Sequence, residues 1–250
     1  MKRVGILGLP GSGKTTVFEI LMQGAGSTAA GGSRDQIGTV RVPDTRIDQL
    51  SELFKPKKTI YAQIQFVDSA AAGHTSARVA AKGPDLFSSV RNCDMLMAVV
   101  RDFENPMAPA VRGVDAARDL RDLQAELVLN DLAIVESRAE KIEKELRIGK
   151  KQGEREHVVL LRCKRHLEAE QPLREVAFDA DEERLLRGYQ LLTRKPLLVV
   201  WNQDESPRGA PPEDRPEMRS VRLAAHLERE IVAFGIVGGR APADEAELTG

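Results

Sequence analysis

Cysteine is scarce in this chain. Cys93 and Cys163 are the only two, lie far apart and share no metal-ligand spacing, as expected of ordinary thiols in a reduced, cytoplasmic protein. A surplus of one charge is also missing: 37 basic residues against 38 acidic ones leave a formal net charge of −1. No overall positive field is available to hold DNA, so only a local basic patch is left as a nucleic-acid contact. Long hydrophobic runs are absent too. The stretch Val4–Leu9 is too short for the apolar region of a signal peptide and ends in a glycine-rich turn. No other run approaches the length that spans a bilayer, so no membrane association is expected. With 250 residues the chain can bury a sizeable core, as one large domain or a domain carrying an insertion.

What is present is a set of short apolar runs. Val4–Leu7, Ala62–Val67 and Met95–Val100 read as strands buried on both faces, and Leu197–Trp201 is a fourth that follows only after a long interruption. Helical patterns lie between them, such as Thr15–Met22 closing at Gly24. Such alternation predicts an α/β fold, a mostly parallel sheet flanked by helices.

The interruption has a different character. Val128, Leu132, Val135, Ala139, Ile142 and Leu146 step by four and three with charged residues around them, a heptad seam. Gly149 to Gly153 offers a turn, and a second polar helix follows from about Glu154 to Glu170. Two helices joined by a short loop predict an inserted antiparallel coiled-coil hairpin. Pro172 ends it, and a third helix is expected from Asp179 to Leu192. The predicted organisation is a discontinuous P-loop nucleotide-binding domain (1–115 and 194–237), a helical insertion (116–193) and a disordered tail (238–250). The hairpin either packs only on its own domain or projects as an arm toward a partner.

Gly8-Leu-Pro-Gly-Ser-Gly-Lys14-Thr15 satisfies the phosphate-loop pattern G-x-x-x-x-G-K-[ST], directly after a predicted strand and at the start of a helix. Its glycines allow the successive backbone N–H groups of Gly11-Ser12-Gly13-Lys14, which follow Pro10 in the nucleotide-holding turn, and of the helix start at Thr15-Thr16 to face an anion. Lys14 is expected to place its charge on the β- and γ-phosphates, as the catalytic residue of any hydrolysis. The Thr15 hydroxyl is expected to ligate Mg²⁺, with Asp68 supporting the metal from the end of the Ile64–Val67 strand. A base-recognition segment, Asn202-Gln203-Asp-Glu205, ends the last strand in N-x-x-E. GTP-selective proteins use N-K-x-D, whose shorter carboxylate meets guanine's N1–H and 2-amino group. Glu205 and the lack of lysine at Gln203 therefore favour ATP, with GTP a weaker ligand.

These segments together resemble the YchF subfamily of Obg-like ATPases. The Gly8–Thr15 loop is similar to the family's GLPNVGKS. Ile37–Leu50 followed by Phe54-Lys-Pro-Lys-Lys58 resembles its post-switch signature, Phe66-Val-Asp68 its second switch, and Leu191–Pro196 through Glu205 its base-recognition stretch. The resemblance runs over most of residues 1–235. It implies a nucleotide domain with a coiled-coil insertion, ATP preferred over GTP, slow hydrolysis, and partners on the ribosome or another ribonucleoprotein. It also implies a shortened chain without the family's C-terminal TGS domain. Departures fall on the switches. Ala71 stands where the family has its D-x-x-G glycine, Ala72 follows, and Gly24–Gln36 lacks the family's metal-binding threonine, for which Thr28 is a poor substitute. His74 reads as an exposed loop residue rather than a general base. Two rival readings remain: a non-hydrolysing nucleotide sensor whose arm binds a partner, and a small-molecule kinase.

Overall fold

A computed structural model of the chain describes residues 1–23, 28–31, 35–69, 87–106, 109–110, 112–149, 153–205 and 208–233. The switch residues Ala71, Ala72 and His74, most of the Gly149–Gly153 turn and the tail expected to be disordered lie outside them.

The apolar runs become the central strands. β1 (Lys2–Leu7), β4 (Gln63–Ser69), β5 (Met95–Asp102) and β6 (Leu197–Gln203) pair in parallel, and β7 (Met218–Leu223) adds in parallel at one edge. At the other edge β2 (Thr28–Gly31) and β3 (Asp35–Arg41) pair antiparallel, giving a seven-stranded sheet ordered β2-β3-β4-β1-β5-β6-β7. The interior strands are buried on both faces; β5 alone has seven consecutive buried residues, the signature of a sheet covered on each side. One face carries Val4, Ile6, Phe66, Val99 and Val200 beneath Phe18 of α1 (Lys14–Gln23) and beneath α7 (Ala225–Ala233). The other carries Leu7, Val90, Leu96, Val100 and Trp201, with α3 (Ser88–Arg91) and the first turns of α4 (Ala116–Arg147). A short helix, α2 (Thr45–Phe54), buries none of its residues.

The heptad seam is the inner face of α4, a helix of 32 residues that extends roughly 48 Å at 1.5 Å per residue. Asp115 starts it by accepting a hydrogen bond from the Arg118 amide. Val128, Val135, Ala139 and Ile142 are buried against Val159, Leu160, Cys163 and Leu167 of α5 (Glu154–Glu168), and Leu132 and Leu146 pack against the same cluster. α5 runs back along α4: Arg138 makes a two-pronged pair with Glu156 at 3.0 and 3.1 Å, and Lys164 meets Glu136 at 2.9 Å.

The third helix is shorter than its pattern predicts. α6 (Ala180–Arg187) opens with a capping box between Asp179 and Glu182, but it ends at Gly188. Gln190 then takes a left-handed φ of 51°, and Leu192–Arg194 forms a 3₁₀ turn instead. The cause is tertiary. The buried Asp131 carboxylate of α4 accepts from the Leu192 amide (2.9 Å), the Thr193 amide (2.7 Å) and the Thr193 hydroxyl (2.6 Å). Those amides serve the arm and are not free to continue a helix. Among the described residues no helix is long and apolar enough to cross a membrane.

Candidate functional site

The C-terminal ends of β1, β4, β5, β6 and β7 converge on one rim of the sheet, where ligands of open α/β sheets bind. β1 delivers the chain into Gly8. A Cβ there would lie 2.4 Å from the Val99 carbonyl oxygen and 2.6 Å from the Ser12 hydroxyl, so only glycine lets the loop leave the strand. The loop closes with the Ser12 amide on the Leu9 carbonyl at 3.1 Å. Gly13 has a φ of +92°, and a Cβ on it would meet the Asn202 side-chain nitrogen at 2.3 Å. The sequence demands glycine here for the loop's own shape and for the approach of a residue nearly two hundred positions away.

α1 begins at Lys14, so its N-terminal amides and dipole face the loop. The Lys14 ammonium folds over it, donating to the Gly8 carbonyl at 2.6 Å and the Leu9 carbonyl at 3.4 Å. Burial lowers the Lys14 pKa from its ordinary value, and the charge of Asp68 works against that shift. Asp68 itself lies in register with Ile6 on the neighbouring strand and is 6 % exposed. The Thr15 hydroxyl donates to its Oδ2 at 3.3 Å. One hydroxyl and one carboxylate at hydrogen-bond distance beside a phosphate loop form a hard-oxygen pair, the chemistry that Mg²⁺ selects. These two residues fit the ion. Pro10 and Gly11 lie on the outside of the loop, whereas Ser12 is buried.

Asn202 ends β6 in register with Arg101 and Leu223. Its amide nitrogen donates to the Ser12 carbonyl at 3.0 Å, and its oxygen accepts from the Ala225 amide at 3.1 Å. The side chain therefore ties the phosphate loop to the start of α7, and one lone pair of its oxygen remains for a base. Beyond it lies a cavity of about 850 Å³, lined on one side by Gly11, Gly13 and Thr16 and on another by Asn202, Gln203 and Glu205. All the residues expected to hold nucleotide thus surround one rim. Of the first-switch stretch Gly24–Gln36, residues 28–31, 35 and 36 are among the described residues, and Thr28 starts β2.

Sequence reasoning missed several contributors. Phe103, just past β5, lines the cavity, and Arg101 reaches back to donate to the Phe103 carbonyl at 2.9 Å with its guanidinium 4.9 Å from the ring centroid. Arg101 is buried and its Nη1 lies 3.2 Å from where a Cβ on Gly11 would stand, which puts a second cation under the loop. Asp102 accepts from the Trp201 indole at 2.9 Å and from the Arg208 and Gly209 amides at 3.2 and 3.1 Å, so the loop after Glu205 is pinned at its far end. The tandem Arg101-Asp102-Phe103 carries no motif. Only the register of β5 against β6 gives it a role.

No family model matches the chain. Among curated proteins, it is 32% identical to the ribosome-binding ATPase YchF of Bacillus subtilis (strain 168), over 98% of its own length and 68% of the relative's. It is 33% identical to the protein of the same name from Escherichia coli O157:H7, over 98% of this chain and 67% of the other. Among solved structures it superposes on the YchF GTPase of Schizosaccharomyces pombe with a TM-score of 0.74 and 24% identity, covering 93% of this chain and 68% of that one. That likeness bears on the fold.

Proposed function

Because the chain belongs to the YchF family of nucleotide-binding P-loop proteins, we propose that it binds Mg·ATP on the Gly8–Thr15 loop, hydrolyses it slowly, and acts on the translation machinery. The observation that carries this reading is the Lys14 and Thr15–Asp68 arrangement, whose chain neighbours Gly13 and Thr16 line one cavity with Asn202 and Glu205. Lys14 sits where it can exchange loop carbonyls for β- and γ-phosphate oxygens, and the amides of residues 11–16 take the remaining charge. Thr15 and Asp68 would hold Mg²⁺, which when bound neutralises charge on the phosphates. Phe103 offers a flat apolar face to a purine ring. The relatives are named ribosome-binding ATPases, which supports a ribosome or another ribonucleoprotein as partner. We assign that contact to the α4–α5 arm, which presents Lys144, Arg147 and the 73 % exposed Ile148 near its tip.

Adenine is the favoured base. Glu205 is one methylene longer than the aspartate that meets guanine's two donors, and it must fold back or collide with the ring edge. A mismatched polar pair in such a pocket costs about 1–3 kcal/mol, enough to reverse a preference. Glu205→Asp combined with Gln203→Lys is expected to move selectivity toward GTP. Competition of ATP and GTP for a fluorescent analogue reads this directly, and wild-type protein binding GTP roughly tenfold tighter, ~1.4 kcal/mol, would overturn it.

Hydrolysis without a partner is expected to be slow. Ala71 offers no glycine amide to approach the γ-phosphate, and Ala72 has no polar atom to orient water. Assisted GTPases reach on the order of 5–20 turnovers per second only with an orienting group and an arginine in place. A single-turnover assay with ATP and Mg²⁺ measures it. An unassisted rate of about one per second that disappears in Lys14→Ala would refute the claim. No turnover at all, with nucleotide still bound, would favour the sensor reading.

A further inference from the structure

A guanidinium is buried away from the nucleotide rim with half of its reach unused. Arg174, in the 3₁₀ turn Leu173–Glu175 behind the arm, is 9 % exposed. Its Nε donates to the Lys195 carbonyl at 2.9 Å, but its buried Nη2 has no hydrogen-bond partner among the described residues. No carboxylate among the described residues comes within ion-pair distance of it. Glu175, Asp131 and Glu217 act on it only from farther off, and burial holds its pKa down to about 10. A cation in that setting is costly, because a buried donor that loses water without gaining a partner is destabilising, and a charged one more so. The site that removes the cost lies beside it. Arg174 lines two adjoining cavities of about 200 and 420 Å³ between the root of α4 and residues 170–175.

The same two cavities share a second arginine. Arg121 on α4 is exposed and makes no hydrogen bond or ion pair among the described residues. Three further charges line the cavities. Arg215 and Glu175 satisfy each other at 3.1 Å, and Glu170 stands at the mouth. The remaining walls join apolar Leu120, Val128, Pro172 and Met218 to polar Gln124 and Thr193. Two planar forks with unspent N–H donors, one buried and one exposed, set against partly apolar walls, are suited to a planar or tetrahedral oxyanion held bidentately. We propose that Arg174 and Arg121 form a second anion-binding site, distinct from the phosphate loop, which takes the oxyanion head group of a small phosphorylated or carboxylated ligand with an apolar body. The buried fork supplies the fixed half of the site and Arg121 closes over the ligand from α4. Because Arg174 also holds the Lys195 carbonyl, an occupant braces the segment that leads into β6.

Trp201 lines the larger cavity and is the only tryptophan in the chain, so its emission reports on this site. Inorganic phosphate is titrated at constant ionic strength, balanced with chloride, into the Lys14→Ala protein, which separates this site from the phosphate loop. The expected result is a saturable change in Trp201 emission that Arg121→Gln weakens by about tenfold, the loss of one charge-assisted fork. Arg174→Gln is expected to abolish it. Arg121→Gln keeps the test valid should Arg174→Gln fail to fold, since Arg121 is exposed. Glu170→Gln is expected to tighten binding by removing a repelling charge. An acetate arm identifies the source: acetate saturating as well as phosphate assigns a carboxylate ligand, and weaker acetate assigns a phosphate ester. No saturable change with either anion, or Arg121→Gln titrating like its parent, overturns the proposal.

Discussion

Replacing Lys14 with alanine is expected to weaken Mg·ATP binding by at least about tenfold, ~1.4 kcal/mol, without lowering the melting temperature of the unliganded protein. The first half follows from geometry. The Lys14 ammonium lies within hydrogen-bond distance of the Gly8 and Leu9 carbonyls at the centre of the loop, and no other side chain of the loop carries charge. Arg101 sits beneath Gly11, with its Nε committed to the Phe103 carbonyl and its guanidinium over that ring. It can add to the field but not replace a point charge aimed at the terminal phosphates. The second half follows from electrostatics. Burial lowers the Lys14 pKa, so the fold disfavours its charged form; this group's contribution to stability is unfavourable below the unfolded pKa. Removing it therefore spares the free protein while damaging the liganded one, the usual relation between a binding site and stability. Calorimetry with ATP, paired with thermal unfolding, checks both halves. Equal affinity in mutant and wild type would take the Gly8–Thr15 loop out of the proposed function.

The phosphate loop was legible because its chemistry is local: one strand, one loop with three glycines (Gly8, Gly11 and Gly13) and a helix start within fifteen residues. The four central strands were legible for the same reason, being continuous apolar runs. β7 was not. Its sequence, Met218-Arg-Ser-Val-Arg-Leu223, buries only Met218 and forms as an edge strand by pairing with β6, so no hydrophobic pattern announces it. β2 and β3 likewise lie in stretches whose glycines and polar residues suggest loops, and Gly38 of β3 is glycine because a Cβ would fall 1.9 Å from the Met22 sulfur. At the site, Asn202 was read as a contact for the base, whereas its side chain also spans from Ser12 to Ala225. That pair of hydrogen bonds exists only once three distant segments have met. Arg101, Asp102 and Phe103 were missed on the same ground. The early end of α6 shows the converse case: helical propensity favoured continuation to Leu192, and the Asp131 carboxylate captured the amides first.

Substituting that aspartate is expected to produce the largest stability loss of any single change on the arm. Asp131 is fully buried, and both of its oxygens accept: Oδ1 from the Leu192 amide, Oδ2 from the Thr193 amide and hydroxyl. Arg91 stands 4.0 Å away. Asp131→Ala strands three donors where water cannot reach them and removes a carboxylate 4.0 Å from Arg91. At about 1–3 kcal/mol per unsatisfied group, partly relieved by relaxation, the loss should be about 3–5 kcal/mol. At roughly 2–4 °C per kcal/mol for a chain of this size, the melting temperature falls by about 10 °C. The pH dependence has a distinctive sign. Burial pushes the Asp131 pKa up, against the pull of Thr193, Leu192 and Arg91. A carboxyl whose folded pKa is raised contributes stability that is fully present below the unfolded value and lost as pH rises through the folded one. The deficit of Asp131→Ala should therefore grow, or at least not shrink, as pH falls toward about 4; a surface ion pair would lose its contribution over the same range. Urea unfolding of wild type and mutant at two pH values measures both terms. A loss below about 1 kcal/mol at neutral pH, or a deficit that vanishes on acidification, would show that the arm is not anchored to the sheet through this carboxylate.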